Sequence, residues 1–74
     1  GIACNLIAPG AMLTDFNRHI MADAAHRQRV EAAIPMRRLG RPEDVCGAAL
    51  FLAGEECAYV TGTTIFVDGG RHCV

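Results

Sequence analysis

Three amino acids are missing from this 74-residue chain: lysine, serine and tryptophan. All seven of its basic residues are therefore arginine. Without serine these residues cannot supply a Ser-His-Asp triad, and without lysine they cannot supply the phosphate-binding lysine of a P-loop. Aromatic residues are also scarce, at 5% of the chain. A Ser-His-Asp triad and a P-loop are thus excluded from this sequence.

The charge is small and mixed in sign, with a formal net value of -1. Such a balance gives no electrostatic basis for binding nucleic acid or an anionic membrane. No apolar run is long enough for a membrane span, and no charged stretch precedes an apolar one in the manner of a signal peptide. We therefore expect no nucleic-acid partner, no membrane partner and a cytoplasmic location.

The cysteines follow no metal-binding or redox spacing, because no Cys-x-x-Cys occurs and the three histidines do not combine with them at zinc spacings. Without a secretory signal, buried free thiols are favoured over disulfides. His72 and Cys73 are predicted to lie in a mobile tail. The cysteines are Cys4, Cys46, Cys57 and Cys73.

The stretch around Pro9 and Gly10 organises the chain. An apolar run from Ile2 to Ala8 stops at this pair, which predicts a strand that ends in a turn. In a parallel sheet, ligands bind in the loops that follow the carboxyl ends of the strands. Thr14 then offers a hydroxyl that can donate and accept, although it could instead cap the next helix. The loop 9–14 is therefore predicted to form the edge of a ligand pocket.

The remaining pattern predicts two short helices over 15–33, with Asp23 as an N-cap between them, and then a longer helix and a second strand. Pro42 opens the longer helix, which runs to Ala53 and stops at Gly54. The strand covers 63–67. A strand, a helical crossover and a second strand predict a βαβ unit whose two strands are adjacent and parallel.

The helix 42–53 is apolar on two sides. One side is predicted to pack on its own sheet, and the opposite side to meet the same helix of a second subunit, because a helix that is apolar nearly all round is buried nearly all round. The first side carries Val45, Ala48, Ala49 and Leu52. The second carries Cys46, Gly47, Leu50 and Phe51.

Three further groups of residues have two interpretations each. The Asn5 side chain is expected to bond neighbouring backbone rather than a ligand. Arg37, Arg38 and Arg41 form a small basic cluster. An ion pair that stabilises the fold is expected near Arg38, with phosphate binding as the alternative. The stripe formed by Leu13, Phe16 and Ile20 is expected to face the core. The alternative is that Phe16, Ile20 and Met21 line a substrate.

Three segments in order resemble the short-chain dehydrogenase/reductase family. Asn5–Thr14 resembles its N-x-x-x-P-G-x-x-x-T segment, and Ile34–Val45 resembles I-P-x-x-R-x-G-x-P-E-D-V. Val60–Gly70 resembles the closing V-T-G-x-x-x-x-V-D-G-G. Together these segments cover nearly all of the chain and match only the last third of that family's sequence.

The resemblance implies an α/β fold, with residues 1–74 as the C-terminal βαβ portion of one doubly wound, Rossmann-like NAD(P)-binding domain. It implies an oxidoreductase that exchanges hydride between NAD or NADP and a small carbonyl or alcohol substrate. The family's catalytic serine is absent, because the chain contains no serine. Its Tyr-x-x-x-Lys pair is also absent, because Tyr59 is followed four residues later by Thr63. No catalytic residue is therefore expected in this segment, and alone it is expected to be inactive.

For this segment the resemblance implies roles in cofactor binding, in covering the substrate and in subunit association. The cofactor-binding residues would be Pro9, Gly10, Met12 and Thr14, with the Met12 backbone and the Thr14 hydroxyl at the nicotinamide carboxamide. The region 15–33 would be a lid over the substrate. A homotetramer or homodimer would form through helix 42–53 and strand 63–67. The alternative is a non-catalytic βαβ module for oligomerisation or regulatory dinucleotide binding.

Overall fold

A computed structural model describes residues 1–74, which form two strands, three α-helices and two short 3-10 turns. The strands are β1 (Leu6–Pro9) and β2 (Thr64–Val67), and the helices are α1 (Arg18–Met21), α2 (Ala24–Ala32) and α3 (Pro42–Ala53). The 3-10 turns cover Glu55–Cys57 and Arg71–Cys73. No helix combines the length and the apolar character that crossing a membrane would require.

The two strands pair in parallel, with Leu6 opposite Thr64 and Pro9 opposite Val67. This confirms the predicted βαβ arrangement. Both strands begin later than predicted, since the sequence suggested starts at residues 2 and 63. The reason is Asn5, whose Oδ1 accepts a hydrogen bond from the Thr63 N–H at 3.1 Å and whose Nδ2 donates to the Val60 carbonyl at 3.2 Å. The Asn5 side chain thus takes the place of a ladder bond, as its interpretation as a backbone partner predicted.

Helix α3 has the predicted bounds because its end signals are local. Pro42 occupies the first turn, and the Asp44 carboxylate accepts a hydrogen bond from the Arg41 N–H at 2.8 Å. Gly54 is the C-cap. The helix packs against both strands.

The inward side of α3 is narrower than predicted. Val45, Ala48 and Leu52 are half-buried, but Ala49 is exposed, which corrects its assignment to the core stripe. Leu50 is 74% exposed. The outer side therefore keeps the apolar character noted in the sequence, and nothing in this chain covers it.

The segment between β1 and α3 contains the two predicted short helices. Asp23 caps α2, because its carboxylate accepts hydrogen bonds from the Ala25 and His26 N–H groups at 3.1 and 3.3 Å. The prediction that the apolar stripe faces the core is wrong, because Phe16 is 90% exposed and Ile20 is 48% exposed. Regular spacing marks an apolar face, but no element of this chain lies opposite that face.

The chain has almost no interior of its own. Only Ile34, Leu39 and Cys57 are buried. The radius of gyration is 14.6 Å, whereas a compact domain of this length would have about 11 Å. All four cysteines are free, but only Cys57 is buried, so the prediction of buried thiols is wrong for the other three. Apolar surface on this scale indicates that further structure covers it.

Candidate functional site

The carboxyl ends of β1 and β2 lie at the same edge of the sheet and approach each other closely. The Gly10 N–H donates a hydrogen bond to the Val67 carbonyl at 3.0 Å. A Cβ on residue 10 would lie 2.5 Å from the Asp68 Cβ, closer than carbon atoms can pack. Glycine is therefore required at the first turn of the predicted ligand loop.

The loop that follows is anchored by the backbone of Gly40. Its carbonyl accepts a hydrogen bond from the Leu13 N–H at 2.8 Å, and its N–H donates to the Ala11 carbonyl at 2.9 Å. These two bonds flank Met12, whose own N–H donates a hydrogen bond to no acceptor in the chain. Met12 is a half-buried residue, and a backbone N–H without a partner is a ready donor for a ligand.

Asn17 holds the loop from the other side. Its Oδ1 accepts hydrogen bonds from the Thr14 N–H at 2.9 Å and the Thr14 hydroxyl at 3.3 Å, while its Nδ2 donates to the Met12 carbonyl at 2.7 Å. Asn17, not Thr14, occupies the N-cap position of α1, and it makes no side-chain cap bond there. The alternative in which Thr14 caps the helix is therefore wrong.

The Thr14 hydroxyl has a defined polarity. Because the Asn17 Oδ1 can only accept, the hydroxyl proton points toward it and the oxygen lone pairs stay available. The loop thus presents a donor at the Met12 N–H and an acceptor at the Thr14 Oγ1. That pair matches a primary carboxamide, which carries a carbonyl acceptor and an NH2 donor.

A cavity of about 380 Å³ opens beside this loop. Met12 is the one predicted site residue in its lining, while Pro9, Gly10 and Thr14 lie along the same loop outside it. Most of the lining comes from the end of β2, the turn after it, and the segment before α3. The other lining residues are Ala11, Met36, Arg38, Gly40, Asp44, Phe66, Val67, Asp68, Gly69, Gly70 and His72.

Arg38 and Asp44 form an ion pair at the mouth of this cavity, with 2.9 Å between the Arg38 Nη1 and the Asp44 Oδ2. The hydrogen bond from Arg38, together with the Arg41 N–H, lowers the pKa of Asp44. The same hydrogen bond raises the pKa of Arg38. The predicted ion pair is present, and with its charge met by Asp44, Arg38 is not a free phosphate-binding group.

The C-terminal residues form an ordered turn, so the predicted mobile tail is wrong. The Asp68 Oδ2 lies 2.9 Å from the His72 Nδ1 and accepts the His72 N–H at 3.0 Å, and the Asp68 Oδ1 accepts the Gly70 N–H at 3.1 Å. Burial raises the pKa of Asp68, but these hydrogen bonds outweigh it and the net pKa is lowered. The His72 ring also stacks on Phe66, with 4.1 Å between the ring centroids.

Comparison with known proteins gives a match that includes all three motif segments. A family model described as Enoyl-(Acyl carrier protein) reductase matches residues 1–72. The chain belongs to the short-chain dehydrogenase/reductase family. Its parallel strands with packed helices are part of that family's Rossmann-like α/β fold. The resemblance inferred from three motifs is therefore confirmed.

Similar members of the short-chain dehydrogenase/reductase family include enzymes for different substrates. L-rhamnose 1-dehydrogenase (NAD(P)(+)) of Sphingomonas sp. (strain SKA58) is 47% identical over 72 residues, which is 97% of this chain and 28% of the relative. 3beta-hydroxysteroid dehydrogenase 1 of Eggerthella lenta is 54% identical over 70 residues, 95% of this chain and 27% of the relative. The chain thus spans little more than a quarter of the length of these curated relatives.

A solved structure shows the same backbone arrangement. A gluconate 5-dehydrogenase from Burkholderia cenocepacia J2315, in complex with NADP and tartrate, superposes with a TM-score of 0.90 at 40% identity. The superposition covers 100% of this chain and 29% of that one.

The sequence analysis predicted no role at this edge for three residues that organise it: Asn17, Asp68 and His72. A signal existed for Asn17, because an asparagine three residues beyond a loop threonine can bond the loop backbone. No comparable signal existed for the His72 ring, whose stacking partner Phe66 is on β2.

Proposed function

We propose that these 74 residues are the C-terminal part of a longer NAD(P)-dependent short-chain dehydrogenase/reductase, called the parent enzyme below. The parent enzyme would exchange hydride between NAD or NADP and a small carbonyl or alcohol substrate. This segment would supply the nicotinamide-side loop, a substrate lid and a subunit interface. The relatives' NAD(P) dependence and the family membership support this proposal.

The cofactor role rests on one observation: the loop presents a hydrogen-bond donor and a hydrogen-bond acceptor. In this proposal the Met12 N–H, which has no acceptor in the chain, donates to the carboxamide oxygen. The Thr14 Oγ1, whose proton is held by Asn17, accepts from the carboxamide NH2. Pro9 and Gly10 shape the turn that brings both groups to the sheet edge. Bound NAD(P) would supply the hydride donor or acceptor, and these residues would fix the face it presents.

The lid proposal rests on uncovered apolar surface. Phe16 is exposed beside the loop and Ile20 is partly exposed on α1. Helices this short depend on packing for stability, so the region can order around a substrate. An apolar face toward the substrate would exclude water from the hydride-transfer step.

The parent enzyme is further proposed to be a cytoplasmic homo-oligomer. Four free thiols suit a reducing compartment. The apolar outer side of α3, with Leu50 and Phe51 exposed, suits a contact with a second copy through helix 42–53 and strand 63–67.

The test is Thr14→Val in the parent enzyme, which keeps the side-chain shape and removes the acceptor. Losing one such hydrogen bond, worth about 0.5–1.5 kcal/mol, should weaken cofactor binding roughly two- to twelve-fold. Titration calorimetry with NAD(H) and NADP(H), alongside steady-state kinetics, measures this. Thr64→Val is the matched control, because Thr64 is an exposed strand threonine far along the chain from the loop.

A second comparison uses 3-acetylpyridine adenine dinucleotide, in which a methyl group replaces the carboxamide NH2. The wild-type enzyme should prefer the natural cofactor, and Thr14→Val should reduce that preference. Binding without turnover by the wild-type protein would favour the regulatory module instead. Identical affinities for wild type and Thr14→Val would remove Thr14 from the site.

A further inference from the structure

Three side chains near the C-terminus form a chain of contacts outside the proposed cofactor loop. The Asp68 Oδ2 lies 2.9 Å from the His72 Nδ1, and the His72 Nε2 lies 3.6 Å from the Cys73 Sγ. Cys73 is exposed and free. A carboxylate, an imidazole and a thiol in this order are the arrangement that activates cysteine nucleophiles.

The contact with Asp68 determines which nitrogen of the His72 ring can accept a proton from the Cys73 thiol. The hydrogen bonds that hold Asp68 as a carboxylate make it an acceptor, so the His72 Nδ1 carries the proton that it receives. The Nε2 of a neutral ring is then an unprotonated acceptor for the Cys73 S–H.

The ring that carries this base is held in place. It stacks on Phe66 at an interplanar angle of 13°, and the His72 N–H bonds to the same carboxylate oxygen as its ring does. Asp68 follows β2 directly, so strand, turn and ring are connected by short contacts. The geometry is thus supported by the sheet rather than by the last residues alone.

We propose that Cys73 is a nucleophilic thiol that undergoes exchange with small disulfides, with His72 as its base and Asp68 as the residue that orients His72. The Cys73 thiol passes its proton to the His72 Nε2, and the thiolate attacks one sulfur of the disulfide. A new S–S bond forms as the original S–S bond breaks. The departing thiolate takes the proton back from His72, so electrons and protons balance without another reactant.

The surroundings leave room for such a reactant. His72 and Asp68 line the cavity of about 380 Å³ beside the turn. Cys73 lies outside that lining and is exposed, so a reactant can approach its thiol from solvent. The site would therefore take a low-molecular-weight disulfide.

The other cysteines lack this arrangement and serve as internal controls. The Cys46 thiol is exposed but donates only to the Pro42 carbonyl, at 3.8 Å, an acceptor that cannot take its proton. Cys4 is exposed with no histidine in contact, and Cys57 is buried. Cys46 lies on the outer side of α3, which is proposed as a subunit contact, so Cys4 is the reference thiol. Reactivity that follows exposure alone would not distinguish Cys73 from Cys4.

The experiment treats the parent enzyme, in its folded state at neutral pH, with 4,4'-dithiodipyridine. Released thiopyridone gives the rate, and peptide mass spectrometry gives the cysteine modified at each time. An unassisted thiol is only a few per cent ionised at this pH, so we expect Cys73 to react first, about tenfold faster than Cys4. Oxidised glutathione is the second probe, and the order of modification should be the same.

Two variants test the base and its orienting partner. His72→Gln should slow Cys73 to about the rate of Cys4. Asp68→Asn should also slow Cys73, and Cys4 should keep its rate in both variants. His26→Gln, a half-buried histidine on α2, is the matched control and should leave every rate unchanged. Circular dichroism shows whether each variant is folded.

The proposal is overturned if Cys73 reacts no faster than Cys4 in the wild type, a comparison that needs no variant to fold. It is also overturned if a folded His72→Gln protein keeps the wild-type rate at Cys73. Neither result bears on cofactor binding, because the thiol chemistry uses none of the loop residues.

Discussion

Asn17 binds Thr14 twice through one oxygen, accepting both the backbone N–H at 2.9 Å and the side-chain hydroxyl at 3.3 Å. With its Nδ2 on the Met12 carbonyl at 2.7 Å, the same side chain spans the loop. Asn17 thus sets both the shape of the loop and the direction of the Thr14 proton. It is a positioning residue for the proposed cofactor contact, although it touches no cofactor atom itself.

We expect Asn17→Ala to raise the KM for NAD(P)(H) in the parent enzyme while the fold is retained. Each hydrogen bond removed is worth about 0.5–1.5 kcal/mol, and the freed Thr14 hydroxyl can rotate and donate instead of accept. The preference for the natural cofactor over its acetylpyridine analogue should therefore shrink as well. Gln28→Ala, an exposed change on α2, is the control.

Steady-state kinetics with both cofactors separates the two roles of Asn17. A merely structural role would lower the melting temperature and leave the ratio of the two KM values unchanged. That result would contradict the prediction. The direct partner, Thr14, should change the same ratio in the Thr14→Val enzyme, so the two variants should be non-additive.

The sequence was sufficient for those features whose causes are local. Helix α3 was predicted with the right bounds because Pro42, the acids after it and Gly54 lie within one stretch. The Asp23 cap was predicted for the same reason. The motif resemblance supplied the fold, because one βαβ unit does not by itself specify a whole sheet.

Features that depend on contacts between separate segments were not predictable in this way. The His72 ring is ordered by Phe66 and Asp68, and a pattern at the chain end contains no information about that contact. Phe16 lies on a regular apolar stripe, but burial needs an opposing surface, and this chain has none to offer. The first residues of both strands were predicted too early, because the Asn5 side chain replaced a backbone hydrogen-bond partner.

A second prediction concerns pH and the N-terminus of α3. Because the folded-state pKa of Asp44 is lowered from its ordinary value of 3.8, its contribution to stability is present above that value and is lost as the pH falls through the folded pKa. Asp44→Asn should therefore melt at a lower temperature than the wild-type parent enzyme at pH 7. The difference should shrink as the pH drops below about 4.

Thermal melts followed by circular dichroism, from pH 7 down to the lowest pH at which both proteins stay folded, measure this difference. Glu43→Gln is the matched control, since it changes the neighbouring acid, which has no ion-pair partner. If the difference in melting temperature between Asp44→Asn and wild type stays constant with pH, the variant has lost packing and not a charge interaction.

The last prediction distinguishes the two sides of α3. Leu50 is 74% exposed on the outer side, whereas Leu52 is half-buried against the sheet. In the parent enzyme, Leu50→Glu should place a charge in the proposed subunit contact and split the oligomer into folded smaller species, because a buried unpaired charge is costly. Leu52→Glu should instead damage the fold, since its partners lie within the same subunit. Size-exclusion chromatography with light scattering, alongside circular dichroism, separates these outcomes. If Leu50→Glu leaves the assembly intact, the outer side of α3 is covered by the parent enzyme's own chain and the proposed interface lies elsewhere.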